Sequence, residues 1–201
     1  PPILGKFSQA WYDLWKKMSF ARHGVTTDMA GKITGKDKAG NEYPARGQYD
    51  PNTRGIDVDT KIATEDTQPH ELFHAWLLDV MEHGTTGEKR FVEKLLKRFE
   101  KPGKDAEELG TQATGEHVVS RAKGDDSLLK DAVAFFKYKL GRANEKDFAR
   151  LASNALVRGE GMNRTSGARP TVGVRNQPGD DRVFVTDFEK ELNANPARPF
   201  K

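Results

Sequence analysis

The chain has no cysteine. That excludes a disulfide framework, a thiolate metal site and a cysteine nucleophile, and it leaves the redox compartment open. No apolar run approaches the roughly 20 residues needed to cross a bilayer, so no membrane span is expected. Charge of one sign is also scarce. The 33 Lys and Arg stand against 30 Asp and Glu, a formal +3, so the total does not imply a nucleic-acid partner. The N-terminal stretch PPILGKFSQAWYDLW has neither an initiator Met nor a basic segment followed by an apolar one. It does not read as a secretory signal, and a processed or excised piece of a longer chain is expected. What remains is 201 residues, 35% hydrophobic and 31% charged, enough for one domain with a core and an appendage.

Helical punctuation dominates the chain. Phe7, Trp11, Leu14, Trp15 and Met18 recur at helical spacing between Lys6 and about Arg22. Gly24 to Pro44 reads as loop and weak strand. Tyr49, the turn-forming Asp50-Pro51-Asn52, Gly55 and the alternating Ile56 and Val58 predict a β-hairpin with its loop near 50–55. Five more helices follow. The first starts at Asp66 or Thr67, tolerates Pro69 in its first turn and stops at Gly84. The next spans about Glu88–Glu100, with Phe91, Leu95 and Phe99 on one stripe. Then come helices at about Asp105–Ala122, from Asp126 or Ser127 to Gly141 (Leu129, Val133, Phe136 and Leu140 on its apolar stripe), and from the Asn144 cap to Gly159. Thr86 to Lys104 carries seven Lys or Arg against three Glu, which reads as a solvated basic face. Beyond Gly159 the sequence is rich in Gly, Pro and Arg, with short strands in TVGV and RVFVTDF, and reads as an extended arm.

The chemistry concentrates in one run, His70-Glu71-Leu72-Phe73-His74. Residues four apart on a helix lie about 40° apart around its axis, so His70 and His74 can offer nitrogens to one metal ion. Glu71 lies about 100° from His70, badly placed as a ligand but able to take a proton from a water activated beside it. With five His and fourteen Glu in the chain, this pattern is expected in about one shuffled sequence in a hundred. The signature is that of zinc metallopeptidases. A catalytic ion needs a third protein ligand. His83 is two and a half turns up the same helix and cannot share the ion. The helix at 105–122 offers Glu107, Glu108, Glu116 and His117. Glu116 is the expected ligand because it falls on a stripe with Leu109, Ala113 and Ser120; Glu108 and then His117 are the alternatives.

The segment YDPNTRGIDVDTKIATEDTQPHELFHAW resembles the strand–turn–strand–helix unit of zincin metallopeptidases. The later AEELGTQATGEHVVSRAKGDDSLLKDAVAFFKYKLG resembles the downstream helix pair of gluzincin-like peptidase modules in large bacteriophage and mobile-element polyproteins. The resemblance implies Zn²⁺ at His70, His74 and a downstream Glu, with Glu71 as general base. It also implies a strand, about Gly55–Thr60, that aligns a peptide substrate by β-addition. A phage virion or the cytoplasm of a bacterial host would suit that resemblance, and the sequence itself does not fix the location. Pro69, and TGEH around Glu116, depart from the family pattern. Tyr49, Tyr138, His83 and His117 are candidates for stabilising the transition state.

The expected fold is therefore α+β and zincin-like. A small hairpin or sheet packs on the active-site helix, with about four further helices, over residues 1–158; an extended C-terminal arm covers 159–201. The expected activity is zinc-dependent peptide-bond hydrolysis on a peptide or protein substrate, with other virion proteins as partners of the arm. The competing reading is a structural or interaction module that keeps a zincin-like scaffold without activity. A nucleic-acid binder using the basic helix would show salt-dependent association, and no matching motif supports it.

Overall fold

The computed structural model describes residues 9–36, 40–124 and 127–159. Over these residues the chain is α+β, with six helices and two small sheets. The C-terminal arm, with TVGV and RVFVTDF, lies outside the described residues from 160 onward.

Helix α1 (Gln9–His23) buries Tyr12, Trp15, Ser19 and His23, a stripe at three- and four-residue spacing. Two polar groups tie this helix to the sheet and to the loop before the motif helix. Tyr12 OH donates to Thr27 O at 3.2 Å, and Trp11 Nε1–H donates to Glu65 O at 2.8 Å. Strands β1 (Thr26–Ala30), β4 (Gly47–Asp50) and β5 (Gly55–Asp59) form one sheet in the order β1-β5-β4. Strand β1 is parallel to β5 and β4 is antiparallel to it. Strands β2 (Ile33–Lys36) and β3 (Glu42–Ala45) form a separate antiparallel hairpin. The segment 24–44, read from sequence as loop and weak strand, contributes β1, β2 and most of β3. Its residues show no apolar alternation because their strand character comes from distant partners.

The predicted hairpin is present as β4 and β5, with the expected turn. Asp50 accepts hydrogen bonds from the Asn52 backbone N–H (2.9 Å) and from the Thr53 hydroxyl (3.0 Å). Arg54 closes it at φ 52° and is pinned to the motif helix by two 2.9 Å hydrogen bonds to Asp79. One expectation fails here. Strand β5 is flanked on both sides, so Gly55–Thr60 has no free edge to align a substrate; the outer strands are β1 and β4.

Helix α2 (Thr67–His83) carries the motif and buries Leu72, Phe73, Ala75, Trp76 and Val80. Pro69 sits in its first turn, where a missing N–H costs nothing. Helix α3 (Thr86–Phe99) opens with a capping box between Thr85 and Glu88. Its Phe91 meets Trp76 edge-on at 6.4 Å and Phe148 at 5.6 Å, and Arg90, Lys94, Lys97 and Arg98 face solvent. Helices α4 (Ala106–Ala122), α5 (Leu128–Lys139) and α6 (Glu145–Arg158) begin on Asp105, Ser127 and Asn144 caps. Two sequence-derived stripes are on the wrong side. The buried face of α4 is Gly110, Thr111, Thr114, Gly115 and Val118, and Glu116 is exposed. On α5, Leu129, Val133, Phe136 and Leu140 face outward.

Candidate metal centre

Helix α2 presents His70 and His74 one turn apart, with their Nε2 atoms 3.3 Å from each other. The first turn of α4 faces them. Glu108 places carboxylate oxygens 3.5 Å from His70 Nε2 and 3.3 Å from His74 Nε2. One ligand atom from each of His70, His74 and Glu108 lies within 4.8 Å of the others. Glu107, the neighbouring residue, accepts from His74 Nδ1 at 2.8 Å. That contact leaves Nε2 of His74 as the nitrogen turned toward Glu108.

The approach of the two helices depends on small residues. A Cβ on Gly115 would lie 3.3 Å from Asp66 O and 3.4 Å from His70 N, so α4 crosses α2 with almost no room to spare. Buried Thr111 and Thr114 turn their hydroxyls back onto Glu107 O (2.7 Å) and Gly110 O (2.8 Å), which satisfies them inside their own helix. This seam sets the start of α4 over the histidines.

Glu71 is buried against strand β4. A Cβ on Gly47 would come within 2.8 Å of Glu71 Cγ, so glycine is required for the strand to pass this close. The backbone N–H of Tyr49 donates to the Glu71 carboxylate. The pairing explains why that N–H is available. Asp59 N donates to Arg46 O, so the groups facing β5 come from Arg46, Gln48 and Asp50, while Gly47 and Tyr49 turn theirs outward.

Electrostatics at the site are opposed. Burial raises the pKa of Glu71, against the lowering influence of His70 and His74. Burial also pulls His74 down, but hydrogen bonds to Glu107 and Glu108 and the Glu71 and Glu108 charges outweigh it, raising the group to about 10. Hydrogen bonds to His70 and His74 push Glu108 below the usual carboxylate range. His74 and Glu108 thus each favour the charged form of the other.

The site opens on a cleft of about 570 Å³ between the β2–β3 hairpin, β4, α2 and α4. Two imidazoles and one carboxylate, with solvent on the cleft side, are a donor set suited to a divalent transition ion with an open position.

Of the residues singled out from sequence, His70, Glu71 and His74 come together here, and Glu108 is the carboxylate that joins them. Glu116 does not. It lies about 12 Å further along the α4 axis, where Gln112 Nε2–H donates to it at 2.7 Å. His117 lines a separate recess with Phe99 and Arg150. Tyr138 packs against Phe91 and Phe148, and His83 sits beside Glu82, so of the four stabiliser candidates only Tyr49 borders the cleft. Tyr43 and Arg46 border it as well and carry no sequence signal. Glu108 did carry one. It shares a helical stripe with Thr111 and Gly115, and small residues in that register mark the side of α4 that packs.

Comparison of the chain with protein-family models, with curated proteins and with solved structures finds no significant match.

Proposed function

We propose that this protein is a zinc-dependent metallopeptidase of zincin-like fold. One observation carries the reading: His70, His74 and Glu108 converge at the floor of an open cleft with the buried Glu71 carboxylate on the same helix. The order of the elements supports it, since the strand beside the motif helix is an antiparallel edge strand. In this reading His70, His74 and Glu108 hold the ion. Zn²⁺, when bound there, supplies Lewis acidity toward a carbonyl and toward water.

The chain's own groups do the rest. The Tyr49 N–H fixes the Glu71 carboxylate, and its raised pKa suits a group that takes a proton from water and returns it to the leaving amine. The outward backbone groups of Gly47, on the cleft edge of β4, offer an extended substrate its register. Glu107 orients His74. The test is cleavage of an unfolded protein substrate by zinc-loaded protein. Glu71→Gln should retain zinc and lose about 10²- to 10⁴-fold in rate. Equal rates for the two proteins would remove Glu71 from the reaction.

A second reading, an interaction module of a virion or effector that keeps this scaffold, draws support from the outward apolar residues of α5. It predicts no cleavage by the zinc-loaded protein.

A further inference from the structure

Helix α5 carries a row of exposed apolar side chains. Leu129, Val133, Phe136 and Leu140, the last at its C-terminal cap, are 62%, 44%, 61% and 69% exposed. Their spacing is four, three and four residues. That is the spacing of an a/d seam, here over fewer than two heptads, the pattern by which one helix receives the knobs of another. The opposite side of α5 is already used. Ala134 is buried, Asp131 accepts from Arg150 at 2.8 Å, and Tyr138 meets Phe148 edge-on. The seam is therefore a second apolar face on a helix whose first is packed against α6.

The flanks of the seam have one sign. With Val133 and Leu140 at a and Leu129 and Phe136 at d, the e and g positions are Lys130, Lys137, Ala132 and Lys139. Lys137 is paired with Asp147 at 3.2 Å and so answered within the chain, which puts the flanking charge at the surface on the exposed Lys130 and Lys139, the latter 5.5 Å over the Phe135 ring. The acidic residue of the helix, Asp131, is buried beneath it. A second copy of this face would set lysine against lysine, which heptad pairing disfavours.

We propose that this face docks an amphipathic α-helix of another polypeptide, with apolar residues at a and d and Glu or Asp at the flanking positions. The contact is a single short helix, below the roughly 800 Å² per partner of a standard stable interface, so it is a reversible one. It lies on α5, apart from the elements that line the metal cleft, and does not depend on the proposed activity.

The test uses the whole chain and two labelled synthetic heptad peptides with Leu at a and d, one with Glu and one with Lys at e and g, followed by fluorescence anisotropy. The Glu peptide should bind at least about tenfold more tightly than the Lys peptide, as for pairing set by flanking charges. Phe136→Glu should weaken it by a similar factor while leaving the helical circular dichroism unchanged, because Phe136 is a surface side chain. Lys130→Glu with Lys139→Glu should reverse the preference. Equal binding of the two peptides, no binding of either, or capture of the chain only by anionic phospholipid vesicles would overturn the proposal. So would a self-associated chain that Phe136→Glu converts to monomer.

Discussion

At Glu107 and Glu108 two neighbouring carboxylates address the two nitrogens of His74. Their roles separate by position, since Glu108 also reaches His70 and Glu107 does not join that group. Glu108→Ala should therefore abolish tight zinc binding, Glu107→Ala should weaken it about 10- to 100-fold, and Glu116→Ala should leave it unchanged. Titration against a chromophoric zinc chelator measures all three. A loss at Glu116 equal to that at Glu108 would contradict the assignment. His23 provides an independent residue-scale test. Its Nε2–H donates to Leu156 O at 2.7 Å, its Nδ1 is buried, and burial lowers its pKa to about 4, with Arg22, Asp79 and Arg54 as the charges around it. The folded pKa is below the unfolded one. The unfolded chain therefore takes up the proton first, and the stability present above pH 6.5 is lost as pH falls toward 4. The loss should be about 2 kcal/mol between pH 6.5 and 5. Urea unfolding of chelator-treated protein at both pH values checks it, and His23→Gln should flatten the difference.

Among the elements, the α2–α4 crossing decides whether a site exists. Gly115→Val would press a branched side chain onto Asp66 O and the His70 backbone. It should cost about 1–3 kcal/mol in stability and lower zinc affinity, because Glu108 is carried by the same helix. Denaturant midpoints beside zinc titration test this; an unchanged affinity would detach the seam from the site. The helices were legible in the sequence for a local reason. Asp105, Ser127 and Asn144 cap their own first turns, and Gly84 and Gly159 mark ends, so each boundary is encoded within a few residues. The hairpin at 47–59 was legible through Asp50-Pro51-Asn52 in the same way. Strand β1 was legible only as weak strand within 24–44, because Thr26–Ala30 pairs with Gly55–Asp59, far along the chain. Helical faces were the weakest reading. On α4 the more apolar Leu109 and Ala113 mark the face that holds Glu116, whereas the glycines and threonines are the residues that pack. On α5 the apolar stripe was real, and nothing in its period told core from surface.

At the scale of the molecule, a group of buried aromatic residues stands behind the motif helix and the cleft lies in front of it. Phe73, Trp76, Phe91 and Phe148 join α2, α3 and α6 in one core behind the histidines, and the cleft lies on the other side of α2. A rigid helix backed by aromatics and fronted by a cleft is what a metal-assisted hydrolase requires, because the ligands must hold their geometry without the substrate. Among the described residues no helix is long and apolar enough to cross a membrane. The central claim is that His70, His74 and Glu108 are one metal site. Its most direct test is the metal content of natively purified protein by elemental mass spectrometry, beside His74→Ala. About one zinc per chain in the native protein and almost none in the variant is the predicted result. No metal in the native protein, even after incubation with zinc, would contradict it.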